Sequence, residues 1–256
     1  MQAKISAVLN TYNASLHLPQ VLQHLKPFDE IVVCDMQSTD NTIAIAQSFG
    51  CKIVTFPKGQ YTIPEPARNF AIQSASNPWV LVVDADEIIP QQLINYLYQK
   101  ANSNNCPAGI FIPRKNYVLG QWIKSNYPDY QLRFVKKQGC DWPTTVHPDP
   151  AKVDGPTEHI PAQNHQLAML HLSESVASHI NKLNTYTDAE IVRKKVSTSI
   201  LAMLFVPLYS FFRIYILKGS FRYGRIGFYQ AIIRANYKFY IIMKAYEKKT
   251  WNNKKN

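Results

Sequence analysis

Four short apolar runs, ISAVLNT, EIVVCD, KIVTF and WVLVVDAD, recur through the first hundred residues, and a helix-like stretch separates each from the next. No other feature restricts the fold as strongly. The runs cover Ile5–Thr11, Glu30–Asp35, residues 52–56 and residues 79–86. Residues 15–25 between the first two carry apolar side chains at helical spacing, with Ser15 placed to cap them. Residues 38–50 open on Ser-Thr-Asp and close on Gly50, which marks both ends of a helix. Residues 64–76 begin with prolines, as helices commonly do, and residues 90–102 form another helical stretch. Strands alternating with helices of this length predict βαβ units and a parallel sheet. Ligands of such sheets bind beyond the carboxyl ends of the strands. Asn10, Thr11, Asp35, Asp84 and Asp86 all fall at such ends and are expected to converge on one crevice.

The fourth run ends abruptly on Asp84, Asp86 and Glu87. Carboxylates this close repel one another and are costly to desolvate, so a positive partner is expected there. In an extended strand end Asp84 and Asp86 point to the same side. Two hard oxygen ligands on one face suit Mg²⁺ or Mn²⁺, with waters and substrate phosphates completing the coordination. Glu87 alternates away and is assigned to the turn leading into the next helix.

From residue 107 the pattern changes to short apolar runs between turn-rich polar segments. This predicts antiparallel strands and long loops, followed by a long helix over residues 173–196. The charge is uneven. Residues 1–192 carry 14 Lys/Arg against 16 Asp/Glu, and residues 193–256 carry 14 against the single acid Glu247. A basic segment suits nucleic acid or an anionic membrane surface. Here Ile200–Leu217 is apolar but interrupted by Pro207, Ser210 and Arg213, and positive charge flanks it on both sides. A spanning helix needs about 20 mostly apolar residues. Aromatics then interleave with Arg and Lys at helical spacing. The tail is read as helices lying in the membrane interface, with a helical cap as the alternative and no nucleic acid partner. The four cysteines form no C-x-x-C pair and are expected to be reduced thiols. No signal peptide is read in the first residues.

The chain offers no G-x-G-x-x-G after the first strand, no P-loop and no G-x-S-x-G. The segments SAVLNTYN, EIVVCDMQSTDNT, PARNFAI and WVLVVDADE, in that order and spacing, resemble the nucleotide-sugar half of family 2 glycosyltransferases of the GT-A fold. The later segments YPDYQLRF, DWPTTVHP, MLHLSES and ILKGSFRYGRIGF resemble the lipopolysaccharide core β-glycosyltransferase subgroup. The resemblance implies an α/β, Rossmann-like, mostly parallel sheet flanked by helices, over residues 1–196. Residues 1–105 would be the nucleotide-sugar half and 106–196 the acceptor half. A basic, aromatic, membrane-associating helical module would occupy 197–256.

The resemblance also implies roles for particular residues. Thr11, Tyr12 and Asp35 would hold the base and ribose of the nucleotide. Asp40 is more simply a helix N-terminal residue than a ligand. Arg68 would approach the nucleotide or diphosphate, or else form a helix-surface salt bridge. Asp84 and Asp86 would form an Asp-x-Asp motif, with Asp86 the stronger metal ligand. His171 would be a metal or diphosphate ligand or a structural histidine. Arg133 would meet a phosphate or the acceptor, or else form a strand ion pair. Inverting sugar transfer needs a carboxylate base. The subgroup reads Val-His-Glu where this chain reads Val146, His147, Pro148 and then Asp149. Asp149 is therefore the candidate base, with Asp129 and Asp141 as rivals.

The expected activity is transfer of a sugar from a nucleoside diphosphate sugar, a UDP-sugar in the first instance, to a glycan or lipid-linked acceptor. Its expected place is the cytoplasmic side of a bacterial inner membrane, as a peripheral protein. Two other classes are a sugar nucleotidyltransferase, whose Gly-rich basic loop LNTYNAS lacks, and a non-catalytic binding protein that has lost its base at Pro148.

Overall fold

A computed structural model describes residues 2–59, 61, 65–142, 151–172 and 175–255. It forms two compact units, Met1–Lys115 with Tyr127–Leu172, and Asn116–Asn126 with Ser173–Asn256. The division falls earlier than the boundary expected at residue 196.

The first unit is built on a seven-stranded sheet. Its parallel half contains β1 (Ile5–Thr11), β2 (Glu30–Asp35), β3 (Lys52–Thr55) and β4 (Trp79–Asp84). All seven residues of β1 are buried, as expected of a strand covered on both faces, where hydrophobic alternation disappears. Helices α1 (Leu18–Leu25), α2 (Thr42–Ser48), α3 (Glu65–Ser74) and α4 (Gln91–Ala101) connect and cover these strands. Between β4 and α4 lies a two-residue strand, β5 (Glu87–Ile88). Beyond α4 come β6 (Gly109–Ile112), β7 (Arg114–Val118), β8 (Gln121–Trp122), β9 (Gln131–Lys136), β10 (Thr157–His159) and β11 (Met169–His171).

The sheet order is β10-β6-β9-β4-β1-β2-β3. Strands β4, β1, β2 and β3 run parallel, and β9 runs antiparallel to both β4 and β6. The order reverses between β1 and β4, so the ligand crevice of such a sheet is expected there. One face of the sheet packs Leu9, Leu81 and Val83 against Leu18, Leu22, Leu93 and Leu97 of α1 and α4. The other packs Val8, Cys34, Val80 and Val82 against Ala67, Ala71 and Ile72 of α3.

Two helix starts differ from expectation. Helix α1 begins at Leu18 with His17 at its N-cap, rather than at a Ser15 cap, and the Ser15 N–H donates to Asp40 (3.1 Å). Helix α2 begins at Thr42, whose N–H donates to the Asp40 carboxylate at 3.0 Å. It is followed by Gly50 in the left-handed region, φ 70°, where a Cβ is unfavourable.

The second unit contains α5 (Val176–Arg193), α6 (Ile200–Phe212) and α7 (Gly224–Lys255). Polar clasps join α5 to α7. Tyr237 donates to Glu190, and Lys244 Nζ reaches Asp188 (2.6 Å) and the Asn184 carbonyl (2.9 Å). A Cβ on Gly227 would stand 1.8 Å from the Ser220 carbonyl oxygen, so only glycine permits this close approach. Helix α6 continues through Pro207 and a wider turn at Arg213–Leu217. Ile200–Leu217 has a mean hydropathy of 2.0, and 6% of it is buried. By length and composition it is apolar enough to cross a membrane. Its 18 residues reach only about 27 Å at the rise of an α-helix, against a hydrocarbon core of about 30 Å.

Phe134 of β9 is fully buried and stacks on Trp79 at 5.2 Å between ring centroids. Phe134→Ala is expected to lower the unfolding free energy of the chain by about 3–5 kcal/mol, read from urea or guanidinium titrations.

Candidate functional site

Three neighbouring strands each deliver a polar residue to the same edge of the sheet. Thr11 ends β1 and Asp35 ends β2, paired in register, and the Thr11 hydroxyl donates to Asp35 Oδ1 at 3.0 Å. Asp35 is fully buried and also accepts the N–H (2.8 Å) and hydroxyl (2.6 Å) of Ser38. The loops after β1 and β2 are tied together. Asn13 donates its N–H to Ser38 Oγ (2.9 Å) and accepts the Thr39 N–H on its own Oδ1 (2.8 Å). Asn13 and Gln37 both adopt positive φ, 49° and 63°, a cost the surrounding hydrogen bonds sustain. Slight burial works against the Asp40 charge, but bonds from Thr42 and Ser15 prevail and bring its carboxyl down to about 2. Tyr12 is exposed on the rim, with Lys58 Nζ 4.2 Å from its ring centre.

The acidic end of β4 is resolved by arginine. Arg68 of α3 donates Nη2 to Asp84 Oδ1 at 2.7 Å. Arg133 of β9 binds both oxygens of Asp84, and its Nη2 also donates to Glu87 Oε1 at 2.9 Å. Arg114 of β7 bonds Glu87 Oε1 at 3.0 Å and Asp129 Oδ2 at 2.7 Å. Three guanidiniums thus alternate with three carboxylates. Burial opposes the Asp84 charge, but Arg133 and Arg68 outweigh it and hold the carboxyl well below the usual range. Burial likewise opposes the charge on Arg133, and Asp84 and Glu87 reverse that effect, raising its pKa.

Several expected placements are corrected by this ladder. Asp84 and Asp86 do not share a strand face. The strand ends at Asp84 and Ala85–Asp86 form a turn, so alternation no longer applies. Both Asp84 oxygens are taken by arginine, which leaves this carboxylate poorly suited to a metal. Glu87 is not a turn residue facing away. It is fully buried, opens β5 and accepts the Asp84 N–H at 3.0 Å. Of the two readings open for Arg133, phosphate or acceptor contact and strand ion pair, it takes the ion pair, and it is only 3% exposed. Arg68 is buried rather than on the helix surface, with the Trp142 ring 5.3 Å from its guanidinium.

Asp86 and His171 do come together. Strand β11 pairs antiparallel with β5, in register His171 to Glu87, and the Leu172 N–H donates to the Asp86 carbonyl at 2.8 Å. His171 Nε2 stands 3.4 Å from Asp86 Oδ2. A carboxylate oxygen and an imidazole nitrogen at this spacing fit a divalent ion whose other ligands are phosphate oxygens and water. Among the described residues no three His, Cys, Asp or Glu side chains gather into a protein-only metal cage.

Asp149 is outside the described residues. Asp129 Oδ2 is held by Arg114 Nε (3.0 Å) and Nη2 (2.7 Å). Asp141 accepts Asn69 Nδ2 at 3.0 Å, and Asn69 Oδ1 also accepts the Trp142 N–H at 2.7 Å. Sequence reasoning missed Arg114 and the burial of Glu87. Arg114 directly follows the apolar GIFIP run, a signal that it enters a strand, but its partner is distant in sequence.

A sheet of this order, with polar residues gathered beyond its carboxyl ends at the β1/β4 switch point, defines an α/β protein of the GT-A type. The family model described as "Glycosyl transferase family 2" matches residues 6–152, and the chain belongs to that family. It is 24% identical over 253 residues to "Lipopolysaccharide core biosynthesis glycosyltransferase LpsC" of Rhizobium meliloti (strain 1021), covering 95% of this chain and 92% of the relative. An uncharacterized glycosyltransferase of Rickettsia conorii is 36% identical over 105 residues, covering 40% of this chain. The chain spans about a third of that relative, 36% of its length. Among solved structures, the mannosyltransferase PcManGT of Pyrobaculum calidifontis, in complex with GDP-Man and Mn²⁺, superposes with a TM-score of 0.57. It is 12% identical, covers 96% of this chain and 87% of the other, and shares the fold.

The Asp84 charge gives stability that is present above the carboxyl's unfolded value and lost as pH falls toward its lowered folded value. The stability advantage of the native chain over Asp84→Asn is therefore expected to be full above about pH 5 and to shrink progressively below about pH 4. Thermal melting of both proteins across that range measures it.

Proposed function

We propose that the chain is an inverting, metal-dependent glycosyltransferase. It moves a sugar from a nucleoside diphosphate sugar to a glycan or lipid-linked acceptor of the cell envelope. The observation that carries this reading is the joining of two pairs at one sheet edge in a family 2 chain: Thr11 with Asp35, and Asp86 with His171. Thr11, Tyr12 and Asp35 hold the nucleoside, and Arg68 faces the diphosphate. Asp86 and His171 hold Mg²⁺ or Mn²⁺, which when bound neutralises the diphosphate and stabilises the charge of the leaving group. The acceptor hydroxyl attacks the anomeric carbon as the bond from that carbon to the diphosphate oxygen breaks, and a carboxylate takes the hydroxyl proton. Asp149 is the proposed base. A UDP-sugar is the first donor to test. The GDP-Man in the mannosyltransferase of the same fold makes a GDP-sugar the second.

The second unit supports a place on the cytoplasmic face of a bacterial inner membrane. Leu201, Leu204, Phe205, Leu208 and Tyr209 of α6 are all more than half exposed. Contiguous exposed apolar surface beside a basic helix suits an anionic lipid interface. The likeness along nearly the full length to a lipopolysaccharide core glycosyltransferase supports a lipid-linked acceptor.

Two experiments test these statements. In a calorimetric screen of UDP- and GDP-sugars, donor binding is expected to need Mg²⁺ or Mn²⁺. Asp86→Ala should weaken the metal-dependent part at least about tenfold; undiminished metal-dependent binding would remove Asp86 from the site. In co-sedimentation with vesicles of phosphatidylglycerol and phosphatidylethanolamine, the exposed triple variant Leu201→Ser, Leu204→Ser, Leu208→Ser should lose at least about tenfold in partitioning. Equal partitioning would make α6 a cap and not an anchor.

A further inference from the structure

The basic excess of residues 193–256 condenses at one place in the second unit. Helix α6 ends in the wide turn Arg213–Leu217, which the Lys218 N–H closes by donating to the Arg213 carbonyl at 2.9 Å. A bond from residue i+5 back to residue i brings Arg213 and Lys218 onto the same side of the helix end. Ser210, just before the turn, donates its hydroxyl to the Arg234 carbonyl at 3.4 Å, which sets this stretch of α7 against the end of α6. Lys218 Nζ donates to Asn126 Oδ1 at 2.9 Å. Burial, and then the charges of Arg213 and Arg234, bring the Lys218 ammonium below its ordinary pKa, so the three cations are neighbours.

Among the described residues no carboxylate pairs with these cations. Glu247, the single acid of residues 193–256, lies 13 residues beyond Arg234, about 20 Å along the helix. On α5, Asp188 is held by Lys244, and Glu190 by Lys194 and Tyr237. Three cations without a counter-ion repel one another, and salt screens only part of that repulsion. Phe212, Ile216 and Leu217, interleaved with them along the chain, are each at least 44% exposed. An anion taken here meets apolar surface as well as charge, which a free inorganic ion does not use and a lipid does.

We propose that Arg213, Lys218 and Arg234 form a phosphomonoester-binding site, and that the phosphate is carried on a lipid whose chains lie along Phe212, Ile216 and Leu217. The inference rests on the reading of this unit as a membrane interface, and it adds a headgroup preference to it. At neutral pH a phosphomonoester carries about −1.5 to −2 charges and offers three acceptor oxygens. A phosphodiester carries a single charge and has fewer free oxygens. Two guanidinium forks and an ammonium match the monoester in charge and in donors.

The test uses the full chain and vesicles of phosphatidylethanolamine. These carry either phosphatidic acid, a phosphomonoester, or about twice that fraction of phosphatidylglycerol, a phosphodiester, so that surface charge is matched. Co-sedimentation compares the native chain with the double variant Arg213→Gln, Arg234→Gln and with Lys248→Gln, Lys249→Gln, which removes equal charge far along α7. The native chain is expected to favour phosphatidic acid at least about fivefold, the first variant to lose that preference and the second to keep it. Should the first variant melt early, Arg234→Gln alone takes its place. Glycerol 3-phosphate, a phosphomonoester without chains, is titrated in solution and should bind at least about tenfold more weakly than the vesicle lipid. Equal binding of the native chain to both vesicles, a preference that survives in the first variant, or one lost equally in the second would overturn the inference. Glycerol 3-phosphate binding as tight as that of the lipid would overturn the lipid as its source. If the native chain binds neither vesicle, the membrane reading falls and this inference with it. If it binds both without preference, this inference alone falls.

Discussion

The buried guanidinium of Arg133, set between Asp84 and Glu87, is the contact on which the rest of the site depends. It lets β4 end on acidic residues without a ligand to neutralise them. Buried ion pairs give uncertain net stability, yet removing one partner leaves an uncompensated charge. Arg133 therefore fixes where β9 must lie against β4, and Arg114 and Arg68 extend the same constraint to β7 and α3. The ladder is balanced in charge, and its consequence is geometric. With Asp84 and Glu87 held still, the turn between them presents Asp86 in one place.

That placement joins the two ends of the first unit. Strand β11 adds to β5 and carries His171 to Asp86, so the proposed metal pair exists only once the chain from β6 onward has folded back. The proposed nucleoside side of the crevice is built differently. Thr11 and Asp35 end adjacent parallel strands, and their loops are wired together by Asn13, Ser38 and Asp40. One half of the site is therefore local to consecutive βα units, and the other half depends on long-range pairing. Asn10 and Asp84 lie in register at the seam between the halves. The carboxylate there is already claimed by arginine, and the amide has no hydrogen-bond partner among the described residues.

The second unit follows a separate logic. Its helices α5 and α7 are clasped by polar side chains, while α6 keeps most of its aliphatic and aromatic surface exposed. Buried apolar helices normally show the reverse. A surface of this kind is consistent with the proposed lipid interface and gives the catalytic unit a reason to carry so basic an appendage.

Much of this was legible in the residues. The alternation of apolar runs with capped helical stretches determined the parallel half of the sheet, because periodicity and capping act over a few residues. It also determined that Thr11, Asp35, Asp84 and Asp86 would gather at one edge, because parallel strands align their ends. The family resemblance singled out His171 and Arg133 without placing them. Only the tertiary structure decided that the positive partner of the β4 acids is arginine, that Glu87 is buried and that Asp86 turns away from Asp84 toward His171. The physical reason is that a charge finds its partner in space. Arg133 and Arg114 lie far along the chain from the acids they neutralise, and no local pattern states which carboxylate each will meet.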